Sequence, residues 1–209
     1  MTEKNKWDER YSESGFAYGT EPNDFLAASL QKLPKTGKVL CLADGEGRNG
    51  VFLAQQGYAV TAVDSSSVGM EKARKMASIR GVSMTTCVAD LAHYQLPENT
   101  YDAIISIFCH LPQPLRRQLH GRVHSSLKMG GVFLLEGYTP RQLLHATGGP
   151  PTRELLMELA ELKQELHLLH IIHGMEMERE VHEGRLHTGL GAVVQLIGIK
   201  TPDLATEGR

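Results

Sequence analysis

Short apolar runs alternate along this chain with amphipathic stretches, the pattern of strands and helices that build a parallel sheet. Residues 38–43 read as a buried strand, followed by a glycine-rich turn and a helix to about Gln56. Gly57 closes that helix, and 58–63 reads as a second strand. A helix over 68–80 closed by Gly81, strands over 82–88 and 101–108, a helix over 114–128 ended by Gly130-Gly131, and a strand over 132–136 follow. Ahead of these, an aromatic-dotted lead over 7–18 precedes a helix over 22–33, with Pro22 suited to its first turn. Past the fifth strand the pattern changes. Leu155, Leu156, Leu159, Leu162 and Leu166 line one helical face, with Glu154, Glu158, Glu161 and Glu165 opposite on what reads as a solvated side. Strand-like runs over 175–182 and 192–200 flank Glu183-Gly184-Arg185, the layout of a closing hairpin, and the breaker over 147–151 marks a loop.

Composition narrows the class. The 209 residues suit one domain, and 41% apolar with 22% charged residues excludes disordered and fibrous architectures. A net charge of −2 argues against a nucleic-acid partner, which would favour a basic excess. The longest near-apolar stretch, 103–109, is too short for a membrane span. The charged opening MTEKNKWDER carries no secretory pattern, and the 3 cysteines, Cys41, Cys87 and Cys109, each lie in an apolar run. They read as reduced thiols, so the expected location is the cytoplasm.

The strongest chemical signal is the turn Asp44-Gly45-Glu46-Gly47-Arg48-Asn49-Gly50 between strand and helix. Glycines let the backbone approach a ligand, and amides at a helix start suit an anionic group. Asp64 ends the second strand, where a carboxylate can accept both ribose hydroxyls. The pattern points to a nucleotide-type cofactor and leaves NAD and S-adenosylmethionine open. Other positions discriminate. No Tyr is followed four residues later by Lys, as short-chain dehydrogenases require, and the length leaves little room for a separate substrate domain. The third strand runs into Val88-Ala89-Asp90-Leu91, a second acidic strand end, and Leu127 to Glu136 forms a helix–Gly-Gly–strand unit.

These residues resemble class I S-adenosylmethionine-dependent methyltransferases, over nearly the whole chain. Within that class, Trp7-Asp8-Glu9-Arg10-Tyr11, Tyr18-Gly19-x-x-Pro22-Asn23 and Gly47-Arg48-Asn49 are similar to the small bacterial tellurite-resistance and thiopurine methyltransferase-like branch. The resemblance implies a doubly wound α/β sheet of seven strands, mostly parallel, with a C-terminal antiparallel hairpin. It implies one domain over 1–209, divided into a lid segment 1–21, a cofactor-binding core 22–137 and an acceptor-side helix and hairpin 138–209. S-adenosylmethionine would be held by Asp44, Gly45, Gly47, Arg48 and Asn49 of the turn, Asp64 and Ser65, Asp90 and Leu91, Ile107, and Trp7, Tyr11 and Tyr18 of the lid. The chain departs from the family at Cys41, where an acidic residue is common, at Ala43 in place of a first glycine, and at Met129 in place of a proline.

The implied activity is methyl transfer to a small-molecule acceptor, including a soft sulfur, selenium or tellurium nucleophile. Ser106-Ile107-Phe108-Cys109-His110-Leu111-Pro112 lacks the Asn- or Asp-Pro-Pro-aromatic motif of amino-methylating enzymes, and Cys109 lacks the preceding proline of a cytosine-type nucleophile. His110 ends a central strand and is the candidate base for a harder acceptor. The alternatives are a nicotinamide-dependent oxidoreductase and a non-catalytic nucleotide-binding module. His120 and His124 share a helix face, and His167, His170 and His173 recur every third residue. Neither group has the partners of a closed ligand set, so both read as solvated helix histidines and no metal is expected.

Overall fold

The computed structural model describes residues 6–202. Seven strands form one sheet. They are β1 (Lys38–Leu42), β2 (Ala59–Asp64), β3 (Thr85–Val88), β4 (Tyr101–Ile107), β5 (Leu127–Tyr138), β6 (His170–Glu183) and β7 (His187–Ile199), in the spatial order β3-β2-β1-β4-β5-β7-β6. The first five are parallel, and β7 inserts antiparallel between β5 and β6. This is the doubly wound sheet with a reversed C-terminal hairpin that the resemblance implied. Leu42 at the end of β1 lies level with Val63 of β2 and Ser106 of β4, so the turns after these strands open on the same edge of the sheet.

The helices are α1 (Lys6–Tyr11), α2 (Asp24–Ala28), α3 (Arg48–Gln55), α4 (Ser67–Ile79), α5 (Gln113–Ser126) and α6 (Leu159–Glu165). Alternation within the strands sorts side chains onto two faces. Leu40, Leu42, Phe133 and Leu135 pack with Leu119 and Val123 of α5 and Leu162 of α6. Val39, Cys41, Val132 and Leu134 pack with Leu26, Leu53, Met70 and Ala73 from α2, α3 and α4. Both faces of the sheet are covered, as a parallel sheet requires.

Several sequence expectations need correction. The helix expected over 22–33 is α2 plus a 3-10 turn over Leu30–Lys32, because Asn23 caps α2 by accepting from the Leu26 amide at 3.0 Å. β3 starts at Thr85, not at residue 82. Gly130-Gly131 does not end α5. The helix stops at Ser126, and both glycines lie within the 12-residue β5. The leucine-rich helix is interrupted, with Leu156 and Met157 buried ahead of α6 and the Met157 amide bonded to the Tyr138 carbonyl at 3.0 Å. Its acidic face is not wholly solvated either, since the Glu165 carboxylate is buried against Arg116 at 2.8 Å. The histidines likewise fall elsewhere. His120 is buried on α5, with Nδ1 at 2.7 Å from Glu165, while His170 and His173 belong to β6, which begins five residues before the run that patterning picks out.

Candidate active site

A cavity of about 450 Å³ opens where the turns after β1, β2 and β4 converge. That is the carboxyl edge of the sheet beside its topological switch between β1 and β4, the place where open α/β sheets bind ligands. Its floor is the glycine turn. Gly45 takes φ +58° and directs its amide to Asp64 Oδ2 at 2.9 Å. Asp64 Oδ1 accepts from the Ser66 amide at 2.8 Å, so the carboxylate ties the β1 turn to the start of α4. Burial raises the Asp64 carboxyl above its usual range. Asp44 is buried and accepts from the Gly50 amide at 3.2 Å. Burial pushes its pKa up to about 7. One amide of the α3 start, where free N–H groups were expected to suit an anionic group, is thereby taken by the chain itself.

Trp7, Tyr11, Tyr18, Asp44, Gly45, Arg48, Asn49, Asp64, Ser65, Asp90, Leu91, Ile107 and His110 all line this cavity. Gly47 is brought near it without lining it. At φ +90°, a Cβ on Gly47 would lie 2.5 Å from the Ala73 Cβ of α4, so the geometry makes this glycine a close-packing position between turn and helix. Two non-glycine residues, Ala43 after β1 and Phe108 after β4, both have φ of 50° and both line the cavity. Left-handed backbone costs an L-residue about 1–2 kcal/mol, which places local strain at the strand ends facing the ligand space.

The N-terminal aromatics form a roof. Trp7 stacks on Tyr11 at 5.9 Å, Tyr11 meets Tyr18 edge-on at 6.3 Å, and Arg10 lies over the Trp7 ring while donating to Tyr18 Oη at 2.8 Å. The roof is docked by polar contacts. Asp8 accepts from Ser66 Oγ at 2.6 Å, and Glu46 accepts from the Ala17 amide at 2.7 Å while pairing with Lys72 at 2.8 Å. Tyr11 fits because Gly45 and Gly69 have no side chains, for a Cβ at either would lie within 3.0 Å of it.

In the wall just past β4, His110 lines the cavity with both ring nitrogens engaged. Nδ1 lies 2.8 Å from the Leu155 carbonyl, and Nε2 faces the Tyr138 amide at 3.4 Å. Burial pushes its pKa down to about 4. With its proton and its lone pair both directed at backbone, His110 is built in as a wall and not as a free base. Burial also pushes the Cys109 thiol up to about 12, leaving no thiolate there. Tyr138 lies beneath the loop carrying Gly149, while Arg141 and Arg153 pair with Glu178 and Glu158.

Sequence reasoning missed a buried polar cluster beside the cavity. Glu136 of β5, fully buried, accepts from Asn23 Nδ2 at 2.9 Å and Gln195 Nε2 at 2.6 Å and pairs with Arg179. Glu183 accepts from Asn23 at 2.7 Å and pairs with Arg48. Burial pushes the Glu183 carboxyl up, but its hydrogen bonds and Arg48 outweigh that and hold it at about 2. The cluster fixes Arg48 and places His187, the first residue of β7, in the cavity wall. A charged residue inside an otherwise apolar strand, such as Glu136 in Val132–Tyr138, was the available signal.

Residues 39–131 match the family model for a methyltransferase domain. Its span runs from β1 into β5 and includes the glycine turn, Asp64 and Asp90. The match places a methyltransferase domain within the chain, and the seven-stranded sheet around it is the Rossmann-like fold of S-adenosylmethionine-dependent methyltransferases. Among solved structures, one described for the conversion of a disulfide bond into a thioacetal group during echinomycin biosynthesis shares 18% identity at a TM-score of 0.75, covering 96% of this chain and 93% of that one. TehB from Haemophilus influenzae shares 21% identity at 0.69 over 85% of this chain, which spans 62% of TehB. A S-adenosylmethionine-dependent methyltransferase from Methanosarcina mazei shares 20% at 0.67, over 84% and 98% of the two chains. No curated protein sequence matches. Among the described residues, no helix is long and apolar enough to cross a membrane.

Proposed function

We propose that this methyltransferase acts on a small molecule that accepts the methyl group on a soft atom, sulfur, selenium or tellurium. The observation that carries this reading is the pairing of both His110 nitrogens with backbone at the acceptor end of the cavity. A hydroxyl acceptor needs a strong base at that point, whereas a thiol is acidic enough for a weak one such as an imidazole. Phe108, Leu111, Pro150 and Leu155 make the neighbouring wall apolar, which suits expulsion of water from the reacting centre. The sulfur chemistry named for the echinomycin-pathway structure, and the sequence resemblance to the tellurite-resistance branch, are in keeping with it.

The residues present fit the cofactor. A cavity of about 450 Å³ has the usual size of a small-ligand site, and its walls carry acidic groups at two strand ends. Bound there, S-adenosylmethionine supplies an electrophilic methyl group on a sulfonium. Asp64 and Ser65 would hold the ribose side and Asp90 and Leu91 the adenine side. Asp44 would face the methionine end in place of the strand acid that Cys41 replaces. Trp7, Tyr11 and Tyr18 would close over the site and keep water out. The test is calorimetry of the full chain with S-adenosylmethionine, its demethylated product and NAD, followed by turnover on a thiol and on a hydroxyl acceptor. Binding of the first two without NAD, and turnover on the thiol, is the expected result. Tighter binding of NAD, or turnover on the hydroxyl compound alone, would overturn the reading.

A further inference from the structure

One histidine at the acceptor end has a ring nitrogen that no hydrogen bond of the fold uses. His187 is 8% exposed and lines the cavity. Its Nδ1 is buried without a hydrogen-bond partner and lies 3.9 Å from Glu183 Oε2. Glu183 cannot swing away, since Asn23 holds one of its oxygens at 2.7 Å and Arg48 pairs with the other. The imidazole is set among rings, with centroids 4.5 Å from Tyr18, 4.9 Å from Phe108 and 5.2 Å from Tyr138. With Nδ1 turned to the carboxylate, Nε2 is the nitrogen left to the cavity.

We infer that His187 is the acceptor-facing base of the reaction, taking through Nε2 the S–H proton of a thiol carried on an apolar or aromatic group, while Glu183 steadies the Nδ1 side. This rests on the sulfur-type acceptor proposed above. The step balances. The S–H bond breaks and its proton goes to Nε2, the electron pair left on the acceptor sulfur bonds the methyl carbon, and the pair of the methyl–sulfonium bond stays on the departing sulfur as a neutral thioether. A thiol, at about 8.5, gives up its proton within reach of an imidazole, and Glu183 beside Nδ1 offsets part of the proton affinity that burial removes. The flanking rings favour a flat or apolar carrier for that thiol.

The groups facing His187 decide its charge. Burial lowers its proton affinity, Glu183 raises it, and Arg48 of α3 and Arg10 of α1 lower it again. Tyr18, Tyr138 of β5 and His110 are the remaining titratable neighbours, and the net direction is downward. The ring is therefore neutral near pH 7 and able to accept a proton.

The test uses the full chain, phenylmethanethiol as probe acceptor, and His187→Gln. Turnover of the variant at pH 7 should fall by about 100-fold or more, the usual contribution of a positioned base. Its affinity for S-adenosylmethionine, read by calorimetry, should stay close to that of the parent. Near pH 10 the probe is largely ionised in solution and the deficit should shrink. In the unaltered protein without cofactor, 15N-imidazole resonances of His187 should shift on adding the thiol. Equal turnover of variant and parent at pH 7, a deficit that does not shrink with pH, or no shift of those resonances would each overturn the assignment. Faster turnover of phenylmethanol than of the thiol would overturn the acceptor class. Loss of S-adenosylmethionine binding by the parent chain would instead overturn the methyl-transfer reading on which this rests.

Discussion

The Gly45 amide donates to the Asp64 carboxylate at 2.9 Å, joining the turn after β1 to the end of β2 across 19 residues. The contact makes one rigid corner from two separate sequence signals. Asp64→Ala should weaken S-adenosylmethionine binding by about 1–3 kcal/mol, because a charge-assisted acceptor is lost and its partners are left unpaired. Calorimetric titration checks this, and an unchanged dissociation constant would remove Asp64 from the site.

Gly47→Val should act first on stability. The new side chain meets the Ala73 Cβ at 2.5 Å and must adopt φ +90°. Overpacking and left-handed strain together suggest a loss of about 2–4 kcal/mol. A denaturant midpoint equal to the parent's, combined with abolished cofactor binding, would restore a direct ligand-facing role for Gly47.

The acid limb of stability should depend on Glu165. Burial pushes this carboxyl up, but His120 and Arg116 outweigh it and hold it at about 2. Its folded value lies below an unfolded value of about 4.3. Its contribution is therefore fully present above that value and is lost as pH falls through about 2. Glu165→Gln should be less stable than the parent near neutrality, and the gap should close as pH drops over this window. Thermal unfolding followed by circular dichroism measures the gap, and a gap that stays constant with pH would contradict the argument.

The roof should report on ligand binding. Trp7 is the only tryptophan and lines the cavity. Adding S-adenosylmethionine should change its fluorescence with a saturable dose dependence. Deleting residues 1–19 should reduce turnover on a verified acceptor more than it reduces stability, because the segment is docked by Asp8 of α1 on Ser66 and by the Ala17 amide on Glu46 and is not woven into the sheet. A truncated chain with full turnover would reject a closing role.

Local pattern alone determined that strands β1 to β5 exist, though not where β3 and β5 begin, and placed the glycine turn, Asp64 and Asp90 at or just past strand ends. Each strand is carried by a short apolar run between polar or glycine-rich breaks, which neighbouring residues specify without help from distant ones. The end of α5 and the break before α6 were not legible. Helical spacing continues through Leu155 to Leu166, but His110 and Arg116 hold the Leu155 and Leu156 carbonyls and the Met157 amide bonds the Tyr138 carbonyl, which keeps residues 155–157 out of α6. The same holds for His120, which reads as a surface residue until Glu165 arrives from 45 positions away. The buried polar cluster beside the cavity was decided wholly in three dimensions. Arg48 meets Glu183 across 135 residues, and Asn23 meets Glu136 across 113. Buried charges need partners, and the sheet order that brings β7 between β5 and β6 supplies them, so the wall carrying His187 exists only once the hairpin has closed on the core.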